Sequence, residues 1–271
     1  MKEKKKMSRN NLIILIAVIL CGLMFLLNLC GVFDLRLNLA YTNEYNISSV
    51  NNINFDMLYY DLEVKTGSND KIIVKYYGND KENIDISSST NKDLNIEMIN
   101  HKFSHKNGFL KQKVVVILPK SYIGTLNVNS TDGDVSIRNN FNINANIETI
   151  DGDTYLSKIN KLTIKSDDGD VSINKVRVLD LDVVDSEVVI SDIKEEASVM
   201  SVDGDITINK FNLTNNSVVE SRDGDIFIKN IKNASVDASD TLGDKIVAKS
   251  YKGTYQLKVN SVKGDIIIRW C

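Results

Sequence analysis

The residues of this 271-residue chain best suited to chemistry are acidic, and they recur. "STDGDVSI" starts at Ser130, "SDDGDVSI" at Ser166, "SVDGDITI" at Ser201 and "SRDGDIFI" at Ser221. Such aspartates suit three tasks. They can offer oxygens to calcium, which takes six to eight. They can form the acid and base pair of a glycosidase. They can also accept hydrogen bonds from the backbone of a tight turn.

The spacing decides among these. Gly133, Gly152, Gly169, Gly204, Gly224, Gly243 and Gly264 follow one another at intervals of 19, 17, 35, 20, 19 and 21. The long interval is a double step, with Ser186 in the glycine place between Asp185 and Glu187. Eight consecutive units of 17–21 residues result, and a fixed short period signals a solenoid. Two residues after the glycine place stand Val135, Thr154, Val171, Val188, Ile206, Ile226, Lys245 and Ile266. Five before it stand Val128, Ile147, Ile164, Leu181, Val199, Val219, Ala238 and Val259. Apolar residues alternate with polar ones on both sides of the corner, so each unit holds two strands. Hairpins at each Asp-Gly corner are the competing topology. A further apolar column at Ile159, Val176, Ile193, Phe211 and Ile231 marks a second corner and favours a parallel β-solenoid over hairpins.

In such a stack the acidic residues form a ladder. Asp134, Asp153, Asp170, Glu187, Asp205, Asp225, Asp244 and Asp265 follow the glycine place. The glycines would turn the chain, and the carboxylates would serve the turn. Charges stacked about 4.8 Å apart repel by only about 1 kcal/mol in water, so an exposed ladder is tolerable. Weak calcium binding is the second reading, with Asp134, Asp153, Asp170, Asp205 and Asp225 as candidates. The nonapeptide calcium repeat is absent, so no tight site is expected. A hydrolase needs two carboxylates in different environments, and a uniform ladder gives them similar ones. With one tryptophan and few aromatics in the repeats, no catalytic residue and no obligatory cofactor is expected. His101 and His105 could share one side of a helical turn and bind zinc, but no third ligand is near and the context reads as a loop.

The N-terminus has a separate task. Residues 1–11 form a basic tail, and Leu12–Phe33 runs without a charge. Those 22 residues make roughly 33 Å of helix, enough to span a bilayer. The basic flank predicts a cytoplasmic N-terminus and a C-terminal domain outside the cytoplasm, in the cell membrane as a single-pass protein. A cleaved signal peptide lacks its small-residue cleavage pattern here. A lipoprotein would require a small residue where Leu20 and Leu29 precede Cys21 and Cys30. Residues 34–44 read as a tether, 45–124 as irregular N-terminal β rungs or a cap, with a separate small β domain as the alternative, and 125–271 as the regular repeats. Beyond the basic tail, 28 basic and 35 acidic residues remain. That balance excludes nucleic acid as the expected partner.

The segment "KVVVILPKSYIGTLNVNSTDGDVSI" and the rungs after it resemble the bacterial putative-adhesin family of unknown function, the toast-rack β-solenoid. "NINFDMLYYDLEVKTGSNDKIIVKYYG" resembles that family's N-terminal part. The resemblance implies a right-handed parallel β-solenoid on the cell envelope, often membrane-tethered and sometimes linked to envelope-stress operons. It carries over no catalytic residue. The expected function is a membrane-anchored scaffold or adhesin-like interaction module meeting cell-wall glycan or an envelope protein. An accessory or sensor of an envelope-stress system is the alternative, and a β-helix carbohydrate-active enzyme the third reading.

Overall fold

The computed structural model describes residues 38–78, 81–88, 92–99, 112–139, 142–247 and 253–270. The basic tail, the Leu12–Phe33 segment, residues 34–37 of the tether, His101, His105 and the three cysteines lie outside these residues. Among the described residues, no helix is long and apolar enough to cross a membrane.

Strands make up most of the described chain, arranged in one sheet of twelve strands and one of thirteen. One rung consists of a strand in the thirteen-stranded sheet, an acidic corner and a strand in the twelve-stranded sheet. Thr125–Ser130 and Val135–Arg138 form one such rung. Its strands do not pair with each other across the corner, as a hairpin would require. Ile147 instead pairs in parallel with Val128 on one side and Ile164 on the other. Leu156 pairs likewise with Ile137 and Ile173. The second-corner column is also a ladder, running Ile159, Val176, Ile193, Phe211, Ile231. These long parallel sheets are those of a β-solenoid.

Period-2 alternation places the apolar columns inside. Leu126, Ile147, Ile164, Leu181 and Val199 from one sheet share a core cluster with Ile137, Val171, Ile190, Ile208 and Ile268 from the other. Each buried Val, Leu or Ile contributes about 1.5–3 kcal/mol by leaving water.

At both ends the rungs do not stack in chain order, and here the expectation of eight units stacked consecutively is corrected. Near the C-terminus, Tyr255–Ser261 pairs with Ser217–Ser221 on one side and Ala234–Asp240 on the other. Ile266–Arg269 lies likewise between Ile226–Lys229 and Lys245–Val247. The last unit of the sequence is therefore inserted before the penultimate one, which becomes the outermost rung. This accounts for Lys245 in an inward column. On an end rung that place is open, and Lys245 Nζ donates to the Ala238 carbonyl at 2.9 Å. Trp270 follows an internal strand rather than the end one.

The opposite end repeats the arrangement. Asn52–Asp56 and Asp61–Gly67 form a rung between Asp93–Met98 with Lys113–Pro119 and the first regular unit. Beyond it pairing turns antiparallel. Lys71–Tyr77 flanks Lys113–Pro119, Leu39–Asn46 flanks Lys71–Tyr77, and Ile84–Ser88 flanks Asp93–Met98.

Candidate functional site: the aspartate ladder and its corners

All the ladder carboxylates except Glu187 and the outermost Asp244 accept the backbone N–H of their counterpart on an adjoining rung. Asp134 N donates to Asp61 Oδ1 at 3.1 Å, Asp153 N to Asp134 Oδ1 at 3.2 Å, and Asp170 N to Asp153 Oδ1 at 3.1 Å. Glu187 N donates to Asp170 Oδ1 at 3.3 Å. The series resumes with Asp225 N to Asp205 Oδ1 at 2.8 Å and Asp265 N to Asp225 Oδ1 at 2.7 Å. It closes with Asp244 N to Asp265 Oδ1 at 2.8 Å, following the inverted rung order. The carboxylates thus tie rung to rung, where the sequence suggested a bond within one turn. Sequence reasoning missed Asp61, because Tyr60 rather than glycine precedes it; the signal available was the apolar pair Leu62 and Val64 at the usual offsets.

The break in the ladder coincides with a change of side chain. Glu187 is one methylene longer than aspartate, and it follows Ser186, which stands directly beneath Gly204 in the stack.

Removing one acceptor tests this role. Asp225→Ala should lower unfolding stability by about 1–2 kcal/mol, while Asp225→Asn, which keeps an acceptor oxygen, should lose much less. Urea unfolding of the two variants side by side gives the comparison.

Glycine is required at the corners for two separate reasons. Gly169 has φ +99°, a region side chains rarely adopt, and Gly152 and Gly204 share it at +125° and +112°. At Gly224 a Cβ would instead run into the backbone carbonyl of Gly204. The hydroxyl column before the corner is buried. Ser221 Oγ accepts from Gly224 N at 2.9 Å and Ser261 Oγ from Gly264 N at 2.9 Å. At the positive-φ corners of Gly169 and Gly204 the hydroxyl donates, Ser166 to the Asp168 carbonyl at 3.0 Å and Ser201 to that of Asp203 at 3.2 Å, whereas Thr149 Oγ1 before Gly152 has no hydrogen-bond partner.

The aspartates before the glycine stand in more varied company. Lys263 Nζ lies 2.8 Å from Asp223 Oδ1, and Arg222 Nε 3.4 Å from its other oxygen. The Lys263 hydrogen bond, with its charge and that of Arg222, holds the Asp223 carboxyl below its ordinary value. A depressed folded-state value stabilises the protein above the ordinary carboxylate range, and that contribution disappears as pH falls through the folded value. Lys263→Ala should therefore move the Asp223 titration upward, as read by carboxyl NMR. On the ladder itself, Tyr155 donates its hydroxyl to Asp153 Oδ2 at 2.8 Å, and this bond raises the phenol above its usual range.

Among the described residues, no three His, Cys, Asp or Glu side chains come together closely enough to hold a metal ion. The thirteen-stranded sheet has an open groove of ≈ 620 Å³, lined in part by Lys161, Asp180, Glu196, Ser198, Gln256 and Lys258. Val178 and Val218 stand among these polar side chains, so the groove is of mixed character; none of its lining residues is aromatic or a ladder carboxylate.

Parallel rungs joined by a carboxylate ladder define an all-β, repeat-built domain. The chain belongs to the family described as Toastrack DUF4097, which matches residues 50–269. Solved structures similar to it include a putative adhesin from Bacteroides fragilis, at 18% identity, TM-score 0.43, covering 84% of this chain and 96% of that one. A putative adhesin from Parabacteroides distasonis matches at 15% identity and TM-score 0.44, covering 83% and 95%. A putative lipid binding protein from the same species matches at 14% identity and TM-score 0.39, covering 85% and 96%. A comparison with curated proteins finds no match.

Proposed function

We propose that the chain is a non-catalytic, adhesin-like interaction module, anchored in the cell membrane by Leu12–Phe33 and displayed outside the cytoplasm. In this reading the rungs wind right-handed and present polar side chains at fixed spacing to a cell-wall glycan or an envelope protein. Repetition at fixed spacing suits weak contacts that add up through multivalency. The observation that carries the reading is the employment of the ladder carboxylates. Asp134, Asp153, Asp170, Asp205, Asp225 and Asp265 each accept a backbone N–H from the adjoining rung, which supports a structural role over that of acid, base or nucleophile. The groove at Lys161 and Lys258 offers polar contacts without the aromatic surfaces of a sugar-cleaving cleft.

The test is binding of the full-length protein, in detergent, to purified cell-wall polymers and to envelope protein extracts. Saturable binding supports the module; absence of binding to both sinks it. Turnover of a polysaccharide, lost in a single Asp→Asn variant, would replace the reading with an enzyme. Any cation role at Asp134, Asp153, Asp170, Asp205 and Asp225 is weak in this reading. Millimolar calcium should raise the thermal midpoint by no more than a few degrees, and an unchanged midpoint with calcium or chelator removes the role.

A further inference from the structure

Five corners contain an Asp-Gly step, at Asp132, Asp151, Asp168, Asp203 and Asp223. An aspartate followed by glycine can modify itself, because no side chain on the glycine blocks its backbone nitrogen from the preceding carboxyl. The five steps are alike in sequence and differ in structure. Gly133 N donates to Ser130 Oγ at 3.1 Å and Gly224 N to Ser221 Oγ at 2.9 Å. Both nitrogens are thereby turned toward a buried hydroxyl. Asp223 is held besides by Lys263 and Arg222. Gly169 N alone among the described corners donates to the carboxylate of its own preceding aspartate, Asp168 Oδ1, at 2.7 Å. Ser166 Oγ, the counterpart of those hydroxyls, donates to the Asp168 carbonyl and takes no hydrogen bond from Gly169 N. Asp168 is exposed to water, and its glycine has the positive φ of the alternative corner.

We infer that Asp168–Gly169 is a site of spontaneous aspartate isomerisation, selected by corner geometry from five equivalent sequence steps. The Gly169 nitrogen attacks Cγ of the protonated Asp168 carboxyl. An N–Cγ bond forms, the bond from Cγ to the hydroxyl breaks, and the amide proton departs with that hydroxyl as water. The resulting succinimide takes up water at either ring carbonyl. Opening at one returns aspartate; opening at the other gives isoaspartate, whose backbone runs through Cβ. No oxidant, metal or partner enters, and mass is unchanged. The extra backbone carbon falls at a corner whose glycine is seated against Gly152, so the product should loosen that rung.

The experiment ages the full-length protein in detergent at mildly acidic pH, alongside the same protein in urea. Tryptic peptides are then mapped by electron-transfer fragmentation; residue 168 is reported by the peptide Ser166–Lys175. In urea all five steps should isomerise at comparable rates. In the folded protein, residue 168 should retain most of its denatured rate, while residues 132 and 223 fall at least several-fold below theirs. Asp168→Glu should abolish the signal from that peptide. Suppression at residue 168 equal to that at 132 and 223, or faster isomerisation at either of those, would overturn the inference.

Discussion

Ile268→Ala is expected to cost about 2–5 kcal/mol of stability, and Val247→Ala about 1 kcal/mol or less. The contrast follows from rung order. Ile268 is fully buried, with Ile228 as its ladder partner on one side and Val247 on the other. Val247 has Ile268 as its ladder partner and is half-exposed on the outermost rung. Stacking in chain order would reverse the assignment, placing Val247 between two rungs and Ile268 at the open end. Denaturant midpoints for the two variants therefore report on the topology itself. Equal losses, or the larger loss at Val247, would mean that the last unit does not insert before the penultimate one.

Gly169→Val should be nearly as severe, at about 4 kcal/mol. Valine must hold the φ of +99°, and its Cβ would fall 2.5 Å from the Gly152 carbonyl oxygen and 2.8 Å from the carbonyl carbon. Neither obstacle can move without shifting the next rung. Asp167→Val, two residues away and exposed, should stay within about 0.5 kcal/mol. Comparable effects from the two variants would show that the corner tolerates a side chain.

The rung was legible in the sequence because a parallel stack repeats its inward residues at one offset. Val128, Ile147 and Ile164 stand at one offset from the glycine place, and they are ladder partners. Rung order at the ends was not legible from period alone. Spacing says that two units share a shape, but not that they touch. The sequence did hold a trace of the answer. Lys245, Ala238 and Asp240 make the penultimate unit the least apolar, as an outermost rung can be. At the other end, Asn54 and Asn127 are hydrogen-bonded at 2.8 Å although 73 residues apart. No periodicity spans that distance, since Lys71–Tyr77 and Ile84–Ser88 intervene. The acidic ladder was visible as a column. Its bonding direction was not, because an aspartate beside a glycine suits a bond within its own turn as well as one to its neighbour.

The inverted order has a mechanical consequence. In a solenoid wound strictly in chain order, tension on the C-terminal strand peels away an outermost rung and breaks one interface. Here tension on Ile266–Arg269 draws out a strand clamped on both sides, by Ile226–Lys229 and by Lys245–Val247. Both ladders must yield together, along with the carboxylate bonds of Asp225 and Asp265. The fold therefore resists unravelling under load by closing its end the way a tucked cord holds a coil.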